Sequence, residues 1–267
     1  MIDGLQSAQL KIWRAAEHLR ALNKAVHTYA GTDLHKLIPK RERLETLNIS
    51  VEPPPQIGVL VGEIVYQLRS ALDHLAFSLV QLNPHNVALP NGWEKRCAFP
   101  LFLKIPTHGQ PPVPHALPVA YRVFEQTLPG ITNAAYAFIE SVQPYYGLGT
   151  ANALKVLTEL SNIDKHRHLN ITVTKVAVKR HYELDDGTTL DSVRGGFKHG
   201  TDIEFENPGD IGNIIGEKRS LHPYVTFAEP TVGSGVATLE VENVLEVCAQ
   251  QIREVIVPSF SGFLNNP

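Results

Sequence analysis

Residues 57–82 read IGVLVGEIVYQLRSALDHLAFSLVQL, a run that is apolar at three- and four-residue steps. The apolar positions of this stripe are Ile57, Val61, Ile64, Leu68, Ala71, Leu75 and Leu82. Such spacing places the apolar side chains on one face of an α-helix. Arg69, Asp73 and His74 interrupt this otherwise apolar segment, so ionisable groups occur where core residues are expected.

A second amphipathic helix precedes this one. Its apolar positions are Leu5, Ala8, Ile12, Ala15, Leu19, Leu22, Val26 and Tyr29. A helix of this length spans roughly 40 Å and needs a similarly long partner to cover its stripe. We therefore expect the two helices to form an antiparallel hairpin. Residues 30–56, which are polar and basic before a run of three prolines, are predicted to form the long connection.

A sheet is predicted after the third long helix. Beyond Leu169 the hydrophobic period changes to two, which is typical of strands. Short apolar runs follow at residues 203–205, 211–215 and 224–228, and glycine-containing turns separate them. This pattern indicates an antiparallel sheet of about four strands.

The architecture follows from these elements. Further helices are predicted to begin near Thr150 and near Leu239, the last of them ending at Pro258. No internal repeat or linker divides the chain, so the sequence predicts an α+β fold in one domain, mainly a bundle of four long helices with an appended antiparallel β-sheet. The predicted bounds are 1–267 for the domain, 1–168 and 239–258 for the bundle, and about 169–238 for the sheet insertion.

The composition is that of an ordinary globular protein. The chain has 43% hydrophobic and 19% charged residues. Its formal net charge of −3 argues against an extended nucleic-acid coating protein, although a local basic patch can still hold a short phosphate backbone. The two cysteines, Cys97 and Cys248, are interpreted as buried thiols.

No basic region followed by an apolar run opens the chain, and no segment approaches the roughly 18 apolar residues of a membrane span, so a cytoplasmic location is expected.

The first polar cluster is the segment 69–74. One helical turn separates Arg69 from Asp73, so these two side chains can form an ion pair, whereas His74 lies roughly 140° around the helix from Arg69. A separate polar row along one side of the helix consists of Glu63, Gln67, Ser70 and His74. In a structural interpretation, the ion pair contributes ~0.3 to 0.5 kcal/mol at a helix edge and His74 is a partly buried, hydrogen-bonded residue.

The second polar cluster is the segment 162–168, which ends the helix beginning near Thr150. Asp164 and Arg167 project near the apolar face of that helix, and charges there need partners. Lys165, His166 and His168 point elsewhere and complement the negative end of the helix dipole. We expect the two clusters to form one site, with the Asp164 carboxylate within roughly 4 Å of the guanidinium of Arg69 or Arg167.

The two clusters also carry a resemblance. The segments LRSALDHL at 68–75 and NIDKHR at 162–167 resemble signature stretches of a group of uncharacterised bacterial proteins, and the likeness covers most of the chain. This resemblance implies no particular activity.

Arg69, four intervening residues and His74 on a bundle helix also resemble the R-x(4-6)-H motif of HEPN-domain ribonucleases and toxins. The resemblance implies a metal-independent endoribonuclease of the toxin or phage-defence type, which acts as a homodimer on single-stranded RNA and needs no cofactor. It assigns His74 as the acid–base group and Arg69 as the stabiliser of the phosphate charge. Ser70 stands where that family usually has a more strongly polar residue. The supporting residues are Asp73, Ser70, Asn162, Asp164, Lys165, His166 and Arg167.

Two other functional classes remain open. In a non-catalytic binding or interaction protein, the arginine, aspartate and histidine side chains of both clusters form a structural network that holds the bundle together. In a metal enzyme, facing helices bring together the ligands Asp73, His74, Asp164, His166 and His18. No His-Glu-x-x-His, Glu-x-x-His or paired Cys/His spacing favours the metal enzyme.

Overall fold

The computed structural model describes residues 4–31, 35–41, 44–49, 52–84, 86–105, 126–147, 149–166, 171–205, 213–227 and 240–265. The chain divides into two compact units by its internal contacts. The helical unit consists of Met1–Arg20, Leu60–Leu169 and Glu242–Pro267, and the sheet unit consists of Ala21–Val59 and Asn170–Val241. The single domain inferred from the sequence stays a prediction.

The predicted α+β class is confirmed. The described α-helices are α1 Gly4–Ala30, α2 Pro55–Leu82, α3 Asn133–Ser141, α4 Gly149–His166, α5 Val241–Gln251 and α6 Val257–Asn265. Helices therefore begin close to each of the four starts that the apolar stripes predict. In the part of the chain that the structure describes, none of these helices is both long and apolar enough to cross a membrane.

The first part of α1 packs antiparallel to α2 within the helical unit. Gly4 near the start of α1 lies against Ser78 near the end of α2, whereas His18 further along α1 lies beside Glu63. A Cβ atom at Gly4 would overlap the Ser78 hydroxyl, so glycine permits the close approach of the two helices here. The buried stripes are Ala8, Ile12, Ala15 and Leu19 on α1 and Leu68, Leu72, Leu75 and Leu79 on α2.

Pro258 does not end the last helix, contrary to the sequence prediction. α5 passes through a π-helical turn at Ile252–Ile256 into α6, which continues to Asn265. A proline inside an α-helix lacks an N–H donor, and its ring collides with the carbonyl four residues earlier. The widened turn just before Pro258, in which Val257 donates to a carbonyl five residues back, changes this geometry and lets the helix continue.

The sheet unit contains two three-stranded antiparallel sheets within its described residues. The first has the order β1-β2-β5 and consists of β1 His35–Arg41, β2 Leu44–Ile49 and β5 Asp202–Glu204. The second has the order β4-β3-β6 and consists of β3 Ile171–Leu184, β4 Thr189–Phe197 and β6 Ile214–Phe227. Arg180 on β3 and Arg219 on β6 lie over the ring of Phe205, which follows β5, so the inner faces of the two sheets contact each other.

The prediction of one sheet at residues 169–238 is wrong in two respects. The predicted connection at 30–56 contains β1 and β2, and the runs at 211–215 and 224–228 contribute to one strand, β6. Among the described strands, β1 lies at the edge of its sheet, where charged residues and Pro39 are tolerated because one side of the backbone makes no ladder hydrogen bonds. β6 is also an edge strand, and its middle is polar because those residues are exposed.

Candidate functional site

Arg69 and Asp73 on α2 hold the backbone of Phe99 from both sides. Arg69 Nη2 donates to the Phe99 carbonyl at 2.6 Å, and the Phe99 N–H donates to Asp73 Oδ1 at 2.9 Å. The expected ion pair is formed, with Arg69 Nη2 at 3.2 Å from Asp73 Oδ1. The three groups therefore close a small ring of polar contacts around the backbone of one residue, which lies 26 to 30 residues away in sequence.

Gln143 holds the residues that follow Phe99. Its Nε2 donates to the Pro100 carbonyl at 2.8 Å, and its Oε1 accepts from the Phe102 N–H at 3.1 Å. Gln143 is fully buried, and residues 99–102 lie in no helix or strand. Buried backbone groups need hydrogen-bond partners, so side chains here replace the partners that a neighbouring strand would supply.

The clamp, which we define as Arg69, Asp73 and Gln143, positions Phe99 in the core of the helical unit. The Phe99 side chain is fully buried, and its ring centroid lies 5.8 Å from that of Phe260 on α6. Burial lowers the pKa of Arg69, and the charge of Asp73 acts in the opposite direction. An arginine remains protonated in proteins, so its guanidinium is a permanent charged donor to the Phe99 carbonyl.

Cys97 lies close to the clamp but has an unreactive thiol. Burial, followed by the nearby Asp73 carboxylate, raises the pKa of Cys97 to about 12. The thiolate is the nucleophilic form of cysteine, so a thiol with this pKa is inert at neutral pH. Cys97 and Cys248 are both free; Cys248 is buried as predicted, whereas Cys97 is only half-buried.

His74 points away from the clamp and toward α1. Its Nδ1 lies 2.6 Å from the hydroxyl of Ser7, a short hydrogen bond between the two helices. Burial and the Lys11 ammonium lower the pKa of His74, and Asp73 only partly offsets them. The imidazole is therefore neutral at pH 7, and its Nδ1 can accept a hydrogen bond from the Ser7 hydroxyl.

The predicted polar row of α2 also faces α1 at its other end. His18 Nε2 lies 3.0 Å from Glu63 Oε2, a contact that is an ion pair when the imidazole is protonated. Gln67, between Glu63 and His74 in this row, has a buried Oε1 that accepts no hydrogen bond from the described residues. The sequence predicted the α2 residues of this contact between α1 and α2, but it gave no signal for Ser7 or Lys11 on α1.

The structure places the second cluster on α4, beside a different part of α2. Asp164 is exposed, and its Oδ1 lies 2.7 Å from the position that a Cβ would take at Gly62. Gly62 precedes Arg69 by two helical turns, about 10 Å along the helix axis. Arg69 itself is engaged with Asp73 and Phe99. The joining of both clusters in one site stays a prediction.

The structure describes only some of the other residues of the second cluster. Asn162 is exposed on α4. Lys165 and His166 belong to α4, but their side chains lie outside the described residues, as do Arg167 and His168 altogether. Ser70, the remaining supporting residue of the first cluster, is half-buried on α2.

A charged network that the sequence analysis missed joins the two sheets of the sheet unit. Glu217 Oε1 accepts from Arg180 at 2.8 Å and from Arg219 at 2.7 Å, and Arg219 Nη1 also donates to Glu45 on β2 at 2.7 Å. Burial opposes ionisation of Glu217, but the hydrogen bonds and charges of the two arginines outweigh it and lower its pKa to about 2. An arginine at an inward-facing strand position was the signal for this network.

Comparison with protein-family models, curated proteins and solved structures found no match. Among the residues that the structure describes, no group of three or more histidine, cysteine, aspartate and glutamate side chains is arranged to hold a metal ion.

Proposed function

We propose that this chain is a non-catalytic RNA-binding protein in which Arg69, Asp73 and His74 have structural roles, the first two on Phe99 and His74 on Ser7. The observation that carries the structural role is the clamp on Phe99, because it engages the guanidinium that a cleavage mechanism needs on the phosphate. An arginine held between a carboxylate and a backbone carbonyl contributes to folding whether or not RNA is present. Single-stranded RNA is the partner class that the resemblance of the α2 motif implies.

The second candidate is the HEPN-like, metal-independent endoribonuclease. The favouring observation is His74, whose lowered pKa leaves a neutral imidazole on a half-buried side chain. In this mechanism His74 removes the proton of the 2′-hydroxyl, the 2′-oxygen attacks phosphorus, and the bond to the 5′-oxygen breaks as that oxygen takes up a proton from water. The products are a 2′,3′-cyclic phosphate and a 5′-hydroxyl. Arg69 can contact the phosphate only through the guanidinium N–H groups that are not bonded to Asp73 or Phe99.

One experiment separates these candidates. The native protein, His74→Ala and the control His27→Ala are incubated with labelled single-stranded RNA in excess EDTA, and both binding and cleavage are measured. His27 is an exposed histidine on α1 whose Nδ1 lies 2.7 Å from the Asn23 carbonyl oxygen of the same helix. We expect RNA binding without cleavage in all three proteins. Cleavage to cyclic phosphate ends that is lost in folded His74→Ala and kept in His27→Ala would establish the nuclease instead.

The proposal also keeps the predicted bundle of four long helices. Its support within the helical unit is the burial of one residue from each helix, namely Leu19, Leu68, Leu157 and Cys248. The Cys248 thiol also lies 3.4 Å from the Ala153 carbonyl, which brings α5 against α4.

A homodimer is part of the proposal as well. Trp13 on α1 is 57% exposed and Tyr66 on α2 is 61% exposed, and large aromatic residues are enriched at protein interfaces. Sedimentation equilibrium of the purified protein tests this directly, since a monomer at micromolar concentration contradicts it.

A further inference from the structure

We propose that the outer face of the β4-β3-β6 sheet binds single-stranded RNA, with Tyr224 as the surface on which one base stacks. This inference rests on the proposed RNA-binding function and assigns that function to a specific surface. The outer face is the one that carries Lys175, Ala177 and Lys179 of β3, opposite to the buried Val176 and Val178.

Tyr224 lies along this face rather than standing away from it. Its Cα pairs with that of Lys175 on β3, yet its hydroxyl lies 3.3 Å from the position that a Cβ would take at Gly195 on β4. β3 separates β6 from β4, so the side chain extends toward a strand roughly 10 Å away. A ring perpendicular to the sheet does not reach in that direction.

The small residues beneath Tyr224 allow this arrangement. Ala177 belongs to the outer face, but only 3% of it is exposed, and it lies 3.8 Å from the Cβ position at Gly195. Ala177 and Gly195 therefore leave a shallow depression in which the ring of Tyr224 can lie. Tyr224 is half-buried, so part of its side chain stays accessible for contact with a base. Nucleic-acid bases stack on aromatic rings that are presented in this way.

Cationic side chains flank the ring on the same face. Lys175 is the cross-strand neighbour of Tyr224, and Lys218 is the neighbour of His181 farther along the sheet. Neither Lys175 nor Lys218 has an ion-pair partner among the described residues. Lys179 lies between them on β3 and shares the Asp191 carboxylate with His181. These charges can follow a phosphate backbone from Tyr224 toward Lys218, a length of about 20 Å along β6.

The chemistry of the face favours a single strand over other partners. A base inside a duplex is already stacked on both sides, whereas an unpaired base can stack on Tyr224. A protein partner is expected to contact an apolar centre, but the exposed outer-face residues Lys218, Ser220 and His222 are polar. Val193 is the exposed apolar side chain beside Lys179 and can contact a sugar or base edge.

The test measures binding of a fluorescent 12-nucleotide single-stranded RNA of mixed sequence to the full chain by anisotropy. Tyr224→Ala removes the stacking surface, and Tyr224→Phe keeps it. The matched control is Tyr146→Ala, which removes an exposed tyrosine from the helical unit. We expect Tyr224→Ala to raise the Kd about tenfold, and Tyr224→Phe and Tyr146→Ala to change it less than about twofold.

Two further measurements keep the inference falsifiable if Tyr224→Ala does not fold. Lys175→Ala and Lys218→Ala should each reduce the slope of log K against log salt by about 0.7, the single-strand value for one phosphate contact. A duplex of the same RNA should bind at least about tenfold more weakly than the single strand.

The outcomes separate the surface from the function. If the native protein binds RNA but folded Tyr224→Ala and both lysine variants bind it equally well, the surface is wrong while the proposed function stands. Equal affinity for duplex and single strand also overturns stacking on Tyr224. If the native protein binds no RNA, the proposed function itself fails.

Discussion

Replacing Arg69 by alanine is expected to destabilise the helical unit by about 2 to 4 kcal/mol. The change removes a charged donor 2.6 Å from the Phe99 carbonyl and an ion pair with Asp73 at 3.2 Å. One hydrogen bond to a charged group contributes roughly 1.5 to 3 kcal/mol, and breaking a buried pair costs about 3 to 5 kcal/mol. Because the Asp73 side chain is 35% exposed, water can solvate its carboxylate after the loss, so the lower part of that range applies.

The assay is urea unfolding at pH 7 of the native protein, Arg69→Ala, Arg69→Lys and Arg14→Ala. Arg14 is the matched control, because it also pairs with a carboxylate on its own helix, Glu17 at 2.9 Å, but its side chain is 55% exposed. We expect Arg14→Ala to cost below about 0.5 kcal/mol. Arg69→Lys should fall between the two alanine variants, because lysine keeps the charge but loses the planar fork that bonds both Asp73 and Phe99.

Comparison with the control Arg14→Ala also shows which result would refute the structural role of Arg69. If Arg69→Ala unfolds within about 0.5 kcal/mol of Arg14→Ala, with the same dependence on urea, the contacts to Phe99 do not stabilise the fold. The free guanidinium would then be available for another role, and the nuclease candidate would gain support.

Two further perturbations concern the other buried polar contacts. Glu217→Gln should destabilise the sheet unit by about 1 to 2 kcal/mol at pH 7 after allowance for solvent screening, because the folded carboxylate has its pKa lowered from 4.5 to about 2. That stabilisation is present above pH 4.5 and is lost as the pH falls toward 2, so the melting temperatures of the native protein and Glu217→Gln should converge between these two pH values. A difference in melting temperature that stays constant over this range contradicts the role of the ionised group. Gln143→Leu removes the donor to the Pro100 carbonyl and the acceptor of the Phe102 N–H, so we expect a loss of about 2 to 4 kcal/mol in urea unfolding and faster hydrogen exchange at Phe102. An unchanged urea midpoint would argue against the clamp.

The helices were predictable because their signal is local. The stripe from Ile57 to Leu82 repeats with the period of a helix, and the structure forms α2 Pro55–Leu82 over it. The strands β1 and β2 carried no such signal. β1 lies at the edge of its sheet, where a sequence can resemble a polar loop, and β2 is central but buries only Leu47, so its alternation is weak. Pro258 was misleading, because the π turn that accommodates it depends on the surrounding packing.

The candidate site was predictable in part. The spacing of Arg69 and Asp73 was sufficient to expect their ion pair, and the pair is present. Phe99, their common partner, lies 30 and 26 residues away in a segment without regular structure, and no periodicity identifies such a residue. The hydrogen bond between the Ser7 hydroxyl and His74 likewise depends on the rotation of α1 about its axis, which the sequence does not determine.

Local patterning therefore determined which segments become helices and that Arg69 and Asp73 share one edge of α2. The tertiary structure decided what those side chains do, because a guanidinium on a helix edge can point to solvent, to a ligand or to another part of the chain. A buried irregular segment needs donors and acceptors for its backbone, and the arrangement around Phe99 supplies them from Arg69, Asp73 and Gln143. These hydrogen bonds form only when segments that are distant in sequence pack together, so no periodic pattern in the sequence predicts them.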